Sequence, residues 1–400
     1  MWEQVKSNQT RSAVLTIIMG VLLLLLGYFL GLYFFDSGTI GLIFALILWV
    51  IMSLVAYFQG DSILLSMSGA RKINRDDHPR LYNIVEEMKI ASGLETMPAI
   101  YIVDDPALNA FATGRDPKKA SVTVTSGLLQ KLNRDELQGV VGHEMAHIKN
   151  RDVLLMAMCS VLLGTIVILA WHASRFMLFG GMGRTRRSSS GGGGAGQIII
   201  IVVAIALMIL APIMAQLIYF AISRKREYLA DASSALYTRY PEGLASALEK
   251  LAVSTDQLKS ANQATAPMYT VNPFRKQGRA AENLTSTHPP ISERIRILRS
   301  MSGASFADYA SAYRQVRDTN TVLIPVAAVA AAGTVALRAP EAEAPEKIDE
   351  LKRTRETSNL MWNLNKYNTI TCECGTKLRL PPNFKLPEVR CPHCGRINPV

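Results

Sequence analysis

Two long apolar runs near the N-terminus constrain this sequence more than any other feature. Residues 13–35 contain no charged side chain over 23 positions, and residues 37–60 contain none over 24. About 20 apolar residues are enough for a helix to cross the hydrocarbon core of a bilayer. The two runs therefore predict a transmembrane hairpin, whose helices are separated only by Asp36 and a short turn.

Two further apolar runs occupy residues 153–174 and 198–223. Basic side chains flank the first hairpin and follow the fourth run, which places those flanks on the cytoplasmic side of the membrane. The loop between the third and fourth runs contains four arginines and no acidic residue, and such a loop resists translocation. We expect a second hydrophobic hairpin that spans the bilayer, with a buried or re-entrant hairpin as the alternative.

The composition agrees with a membrane-embedded protein. Lys and Arg outnumber Asp and Glu by 43 to 32 in a chain of 400 residues. Because most of the basic clusters border apolar runs, where cations meet anionic lipid headgroups, the positive charge gives little support for nucleic-acid binding. Five cysteines are too few for a disulfide-stapled secreted scaffold. The expected partner is the lipid bilayer, and no nucleic acid is expected.

His143, Glu144 and His147 form the pattern H-E-x-x-H in the soluble segment that follows the first hairpin. Asn133 and Glu136 approximate a capping box, which predicts that a helix begins there. Residues four apart on a helix point the same way, so the two imidazoles can bind one zinc ion. The alternative is a pair of structural histidines on a polar helix face. With only six histidines in the chain, a chance occurrence of the pattern is a weak competitor.

A catalytic zinc site takes three protein ligands and keeps a fourth position for water. Glu227 and Asp231 form an E-x-x-x-D pattern on a helix predicted over residues 227–252, after the fourth apolar run. Glu227 can be the third ligand, while Asp231 can accept the free N–H of a ligand histidine and fix its tautomer. Asp152 and Glu242 are the alternative third ligands.

Four segments together closely resemble the HtpX-type membrane metalloproteases, which are relatives of the CAAX-prenyl proteases. They are H-E-M-A-H-I-K-N-R-D at 143–152, R-E-Y-L-A-D at 226–231, N-A-F-A-T-G at 109–114 and T-H-P-P at 287–290. The resemblance runs from the N-terminal hairpin to about residue 301. It implies a mainly α-helical, polytopic membrane protein with a small β-sheet, whose gluzincin-like protease domain faces the cytoplasm from the inner (plasma) membrane.

The resemblance and the residue types also indicate a mechanism. Zinc held by the two histidines and the distant glutamate lowers the pKa of its water, which makes a nucleophile available at neutral pH. Glu144 can take a proton from this water and deliver it to the leaving amine. By resemblance, His288 and Arg294 are candidate donors to the transition-state oxyanion. The alternative is a loop histidine and an outward-facing arginine.

Short strands are predicted around a candidate substrate-binding segment. Ala99 to Val103 and Ser121 to Thr125 have the β-branched and apolar residues of strands, and Asn109 to Thr113 between them is a candidate edge strand. An extended substrate would pair with this edge, and backbone pairing accepts many sequences. Together with the hydrophobic anchor and the family resemblance, this predicts cleavage of membrane proteins or unfolded polypeptides, as in membrane protein quality control. The predicted substrate-binding residues are Asn109, Ala110, Phe111 and Ala112.

The C-terminal residues 371–400 lie outside this resemblance and contain two cysteine pairs, separated by sixteen residues. This spacing predicts a zinc ribbon with one structural Zn²⁺, in addition to the catalytic Zn²⁺. The first pair has one spacer residue where two are usual, so His393 is an alternative ligand. Disulfides are the rival interpretation, but a cytoplasmic tail keeps thiols reduced. The basic surface of the ribbon suits an acidic protein partner. The four cysteines are Cys372, Cys374, Cys391 and Cys394.

The sequence predicts six segments. The alternative to the protease function is a non-catalytic membrane adaptor that recruits a partner through the ribbon. Glu144 favours the enzyme, because a structural metal site has no use for a carboxylate aimed at water. A metal transporter is a third, poorly supported possibility. An Ala- and Val-rich run at 322–337 is assigned to the linker, with a fifth membrane helix as the alternative. The segments are a transmembrane hairpin (1–60), a first protease segment with the H-E-x-x-H helix (61–152), a second hydrophobic hairpin (153–223), a second protease segment (224–318), a linker (319–370) and the zinc ribbon (371–400).

Overall fold

The computed structural model describes residues 2–180, 224–256, 288–319, 335–341 and 346–400, apart from a few side chains in the apolar helices, together with isolated positions that include 269–270. The predicted fourth apolar run, except for isolated positions, and most of the run at 322–337 lie outside the described residues. The helices are α1 (Trp2–Phe35), α2 (Gly38–Met67), α3 (Pro79–Ser92), α4 (Ser126–Lys131), α5 (Arg134–Lys149), α6 (Asp152–Gly180), α7 (224–238), α8 (Pro241–Val253), α9 (Ile291–Arg299), α10 (Phe306–Arg317) and α11 (Glu346–Leu364). The strands are β1 (Arg71–Ile73), β2 (Ala99–Val103), β3 (Ala110–Thr113), β4 (Ser121–Thr125), β5 (Asn368–Thr371), β6 (Lys377–Leu380), β7 (Glu388–Arg390) and β8 (Ile397–Pro399).

The N-terminal hairpin predicted from the apolar runs is present. Two helical segments, Thr16–Phe35 in α1 and Gly38–Met67, are long and apolar enough to cross a membrane. They approach closely because glycines face each other: a Cβ added to Gly41 would collide with the carbonyl oxygen of Gly27. α6 packs against α1, and its apolar part, Val161–Arg175, is shorter than the other two segments.

A four-stranded sheet lies in the segment at 61–152, in the order β1-β2-β4-β3. β2 pairs with β4 in parallel, while β1 and β3 pair antiparallel at the two edges. The predicted bounds of β2 and β4 are confirmed, and β3 begins at Ala110, one residue after the predicted start. Every residue of β3 is buried, and α5 packs beside it. The edge strand therefore lies next to the helix that carries H-E-x-x-H.

α5 begins at the predicted capping box. The Asn133 side chain accepts a hydrogen bond from the N–H of Glu136 at 2.9 Å, and the Glu136 carboxylate accepts from the N–H of Asn133 at 2.8 Å. Further along the helix, a Cβ on Gly139 would lie 2.6 Å from the backbone nitrogen of Leu244 in α8. Glycine at this position lets α8 cross α5 at close range, so that α5 is enclosed by its neighbours.

The helix predicted over residues 227–252 is wrong as a single element. α7 ends at residue 238 and α8 starts at Pro241, with Arg239 between them at φ 54°. Proline has no backbone N–H and its ring clashes with the preceding turn, so a continuous helix through this position is disfavoured. The break separates the helix that carries Glu227 from the one that packs on α5.

The C-terminal helix α11 is docked on the core formed by α3, α4, α5 and the sheet. Its Leu360 is buried and belongs to the hydrophobic core that α3, α5 and the sheet share. The Arg353 guanidinium donates to the Gln130 carbonyl oxygen at 3.1 Å, and Lys131 pairs with Glu350 at 3.1 Å. This part of the predicted linker is thus a structured helix, because one of its faces, with Arg353, Thr357 and Leu360, is buried against this region.

Candidate metal centre

His143, His147 and Glu227 converge where α5 meets α7. The Nε2 atoms of the two histidines are 3.2 Å apart, and they lie 3.4 Å from different oxygens of Glu227: His143 from Oε2 and His147 from Oε1. Ligand atoms that bind one tetrahedral zinc ion at bonds of about 2 Å lie a little over 3 Å apart, and the distances here are of that size. The structure thus brings the three predicted ligands into a geometry that one ion can share.

The donor set fits a divalent cation. Glu227 is 3% exposed, and its buried Oε2 has no hydrogen-bond partner among the described residues. A buried carboxylate oxygen without a partner is costly, and a metal ion bound at this position removes that cost. Two imidazole nitrogens and one carboxylate oxygen are a ligand set of catalytic zinc sites. These residues therefore suit a zinc ion at this position.

A carboxylate lies behind each ligand histidine. Nδ1 of His143 is 3.0 Å from Oδ1 of Asp231, and Nδ1 of His147 is 3.3 Å from Oδ2 of Asp152. An Nδ1–H that donates to a carboxylate leaves Nε2 free to bind the metal. Asp152, an alternative third ligand in the sequence, thus contacts the outer nitrogen of His147. Glu242, the other alternative, forms an ion pair at the surface.

Burial and charge act in opposite directions on this cluster. Burial by itself lowers the pKa of His143 and His147, but hydrogen bonds to Asp231 and Asp152, respectively, together with Glu227 outweigh it, so both pKa values are raised. Burial likewise favours the neutral form of Glu227, but the surrounding imidazoles hold its pKa well below the usual range. Because a metal must displace protons from the imidazoles, its binding weakens as the pH falls.

Glu144 lies on the same helix, between the two histidines in sequence, and is 2% exposed. Its Oε1 accepts a hydrogen bond from the Thr270 hydroxyl at 2.8 Å. The N–H and hydroxyl of Thr270 also lie 2.9 and 3.0 Å from the Ala110 carbonyl oxygen in β3. Thr270 therefore connects Glu144 to the edge strand. No signal in the sequence indicates this contact, because Thr270 belongs to no motif and is 126 residues from Glu144.

Both predicted oxyanion donors lie beside the cluster. Arg294 in α9 is 0% exposed and donates two hydrogen bonds to Asp231, from Nε at 2.8 Å and from Nη2 at 2.7 Å. The alternative of an outward-facing arginine is therefore wrong. His288 Nε2 lies 3.6 Å from Oε2 of Glu227. Burial lowers the pKa of His288 to about 4, so its imidazole is neutral near pH 7.

The outer edge of β3 is defined by its hydrogen bonds to β4. The Asn109 carbonyl oxygen accepts from the N–H of Thr125 at 3.0 Å, which turns the backbone groups of Asn109 towards β4. Backbone groups alternate along a strand, so those of Ala110 and Ala112 point away from β4. The Ala110 carbonyl oxygen is occupied by Thr270. Ala112 therefore presents its N–H and C=O on the outer edge, two residues along β3 from the strand's contact with Thr270.

A second cluster lies in the C-terminal segment, where the two cysteine pairs face each other. Sγ of Cys372 is 3.6 Å from Sγ of Cys394, and Sγ of Cys374 is 3.7 Å from Sγ of Cys391. Four sulfurs around one zinc ion, at bonds of about 2.3 Å, are about 3.8 Å apart, whereas a disulfide bond is about 2.05 Å long. The four cysteines are free thiols, and their sulfur atoms alone form the cluster, without His393.

The single spacer in the first cysteine pair does not prevent this geometry. A glycine with a left-handed backbone conformation follows each pair, Gly375 at φ 83° and Gly395 at φ 75°. The Gly375 N–H donates to the Cys372 carbonyl oxygen at 2.8 Å, and the Gly395 N–H donates to the Cys391 carbonyl oxygen at 2.9 Å. Both turns therefore close over the sulfur cluster, although the first is one residue shorter.

Comparisons with known proteins reveal clear sequence relatives. Residues 75–302 match the peptidase family M48. A protease HtpX homolog from Dictyoglomus turgidum is 45% identical over 300 residues, covering 75% of this chain and 94% of the relative. A protease HtpX homolog from Streptococcus pneumoniae is 42% identical over 301 residues, covering 75% of this chain and 100% of the relative. The crystal structure of S. mikatae Ste24p is 19% identical with a TM-score of 0.37, covering 74% of this chain and 66% of that one.

Proposed function

The chain belongs to peptidase family M48 and is a zinc metalloprotease, and we propose that His143, His147 and Glu227 hold its catalytic zinc while Glu144 transfers the proton. One observation carries this assignment. One candidate ligand atom from each of three residues on two helices lies within 4.8 Å of the others, and a buried carboxylate that is not a ligand lies on the same helix as the histidines. Cleavage of unfolded polypeptides by the wild type and by Glu144→Gln tests it.

The residues around the metal centre have separate roles in peptide hydrolysis. When bound, a zinc ion supplies a Lewis acid that lowers the pKa of water to about 7. Glu144 accepts the proton of the attacking water on a carboxylate oxygen and delivers it to the leaving amine. The Thr270 hydroxyl, which donates to Oε1 of Glu144, keeps this carboxylate in one orientation. The surrounding buried side chains exclude bulk water from the transfer.

His288 and Arg294 have different roles in this proposal. The neutral imidazole of His288 faces the ligand cluster and can donate a hydrogen bond to the developing oxyanion. All three guanidinium nitrogens of Arg294 are engaged: Nε and Nη2 donate to Asp231, and Nη1, 3.6 Å from Oε2 of Glu227, donates to the Thr270 carbonyl oxygen at 3.3 Å. Arg294 therefore acts through Asp231 on the orientation of His143. His288 is therefore the oxyanion donor, and Arg294 is a positioning residue.

Substrate binds as an extended chain along β3, beside Ala112. The substrates are unfolded or misassembled membrane proteins, and the two candidate membrane helices at the N-terminus support this proposal because they would keep the site at a bilayer surface. The broader organisation follows the family. The protein is a multi-pass protein of the inner (plasma) membrane with a cytoplasmic, gluzincin-like protease domain, formed by residues 61–152 and 224–318 around the second hydrophobic hairpin.

Ala112→Pro tests the edge strand. Proline removes the N–H that points away from β4, and it leaves the hydrogen bonds of Phe111 and Thr113 to β4 in place. We expect kcat/KM for an unfolded polypeptide to fall at least about tenfold with zinc retained, because pairing with the edge supplies substrate affinity. Ala112→Ser keeps the N–H and serves as the matched control. Cleavage at the wild-type rate by a folded Ala112→Pro variant would refute the assignment.

The C-terminal ribbon holds a structural zinc ion and recruits a partner of acidic surface. The segment that leads into it lies beside β1, where the Arg71 guanidinium donates to the Asn365 side chain at 2.7 Å. β1 and β3 are the opposite edges of the sheet, about 14 Å apart at the usual strand spacing. The ribbon is thus separated from the proposed substrate edge, and exposed Lys377, Lys385 and Arg396 give it a basic surface.

Cys391→Ser tests the separation of the two metal sites. The variant loses one of four thiolates, so we expect one zinc ion fewer per chain, while cleavage of a short unfolded peptide stays within about twofold of the wild type. Metal analysis and peptide cleavage on the same sample measure both. Loss of both zinc ions, or of peptide cleavage, would show that the ribbon is part of the active site.

A further inference from the structure

A second buried ion pair lies behind His147, where the apolar helix α6 starts. Oδ2 of Asp152 is 3.3 Å from Nδ1 of His147, and Oδ1 of Asp152 is 3.5 Å from Nη1 of Arg226. Asp152 is 1% exposed and Arg226 is 5% exposed. The chain Arg226, Asp152, His147 therefore parallels the chain of Arg294, Asp231 and His143 on the other side of the centre.

The position of this pair in the chain is unusual. Asp152 is the first residue of α6, whose apolar part packs against the N-terminal hairpin. Arg226 lies in α7, one residue before Glu227. A single ion pair therefore contacts the start of an apolar helix, the residue next to one metal ligand and the outer nitrogen of another ligand.

The charge of Arg226 depends on Asp152 for its compensation. The Nη1 and Nη2 atoms of Arg226 are buried and make no hydrogen bond to the described residues. The 3.5 Å approach of Asp152 is thus the compensating contact that the structure shows for this cation. Removing Asp152 would leave the buried Arg226 cation without this compensating carboxylate, so the cation keeps the two side chains together. That position fixes the carboxylate that His147 contacts.

We propose that Asp152 and Arg226 are positioning residues that hold the outer nitrogen of His147 and thereby tie the affinity of the metal centre to the start of α6. The proposal rests on the assignment of His147 as a zinc ligand. Oδ2 of Asp152 accepts the Nδ1–H, which leaves the Nε2 lone pair facing Glu227. Arg226 balances the charge of Asp152 and keeps its carboxylate in place. The competing interpretation is that this ion pair is purely structural and only holds α6 against α7.

Zinc affinity distinguishes these interpretations, because a purely structural ion pair affects folding stability without affecting zinc binding by His147. The parent for the experiment is the full chain with Cys391→Ser, which removes the ribbon zinc so that the proposed catalytic site is the one measured. It is placed in lipid nanodiscs and titrated against a zinc chelator. Asp152→Ala is expected to raise the zinc Kd about 10- to 100-fold, the usual effect of losing a partner of a ligand histidine. Asp152→Asn is expected to raise it less, because an amide oxygen still accepts the Nδ1–H. The zinc Kd of Arg226→Gln is expected to lie between that of the parent and that of Asp152→Ala.

Asp135→Asn is the matched control for burial and charge. Asp135 is a buried aspartate paired with Arg338 at the opposite end of α5. It is expected to lower the unfolding temperature and leave the zinc Kd unchanged. Asp231→Ala provides the benchmark for the other histidine. If Asp152→Ala keeps a Kd within about twofold of the parent while Asp231→Ala weakens binding, the positioning role is refuted. If the parent binds no zinc, the assignment of the active site itself fails.

Discussion

Glu144→Gln is expected to abolish peptide cleavage and to leave zinc bound. The amide has nearly the shape of the carboxylate and can still accept the hydrogen bond of Thr270, but it cannot take up a proton. Proton transfer by a positioned side chain contributes about 10²- to 10⁴-fold to rates, so kcat should fall by at least the lower figure. Cleavage of an unfolded membrane polypeptide and the zinc content of the same preparation measure the two effects.

Glu136→Gln is the matched control on the same helix. Glu136 is buried and belongs to the capping box of α5, away from the histidine pair. We expect it to reduce stability and to leave kcat close to the wild-type value in the folded protein. Retention of cleavage by Glu144→Gln would show that another group carries the proton. Loss of zinc from this variant would instead give Glu144 a structural role.

Arg294→Met is expected to produce the largest loss of stability. Arg294 and Asp231 are both fully buried, and the two hydrogen bonds between them compensate both charges. Breaking a buried pair from one side costs about 3–5 kcal/mol, because the remaining charge stays buried without its partner. Denaturant unfolding of the full chain, with and without added zinc, measures this loss. Zinc retention should fall as well, because Asp231 without Arg294 is no longer fixed in the orientation in which it contacts His143.

Two further variants define what Arg294 contributes. Arg294→Lys keeps the charge but replaces a planar fork by a single ammonium group, so an intermediate loss is expected. Arg299→Gln, which removes an exposed guanidinium that pairs with Glu242 and Glu249, is expected to leave stability near the wild-type value. An unchanged unfolding midpoint for Arg294→Met would mean that the buried pair does not stabilise the domain.

The features predicted correctly from the sequence are local ones. The start of α5 follows from Asn133 and Glu136, three residues apart, and the pairing of the histidines follows from helical spacing. The bounds of β2 and β4 follow from short β-branched and apolar runs that end at turn residues. Each of these signals is complete within a few residues, so no knowledge of the tertiary structure is needed to interpret it.

The features that the sequence does not predict depend on contacts between distant segments. Thr270 holds Glu144 across 126 residues, and Arg294 holds Asp231 across 63. A threonine outside any motif and an arginine on a short helix give no sign of burial, because their partners are brought together only by folding. The break before α8 is a different case. Pro241 is visible in the sequence, but the apolar pattern on both sides favours one continuous helix.

Zinc K-edge absorption spectroscopy, combined with metal analysis, can separate the two proposed zinc ions by their ligands. In the wild-type chain we expect two zinc ions, one with nitrogen and oxygen ligands and one with four sulfur ligands. Glu227→Ala should lose the first ion and keep the second, because Glu227 supplies one of the three ligands of the centre. A Glu227→Ala chain that retains the nitrogen- and oxygen-bound zinc, or a wild-type chain that lacks it, would contradict the assignment of the catalytic metal.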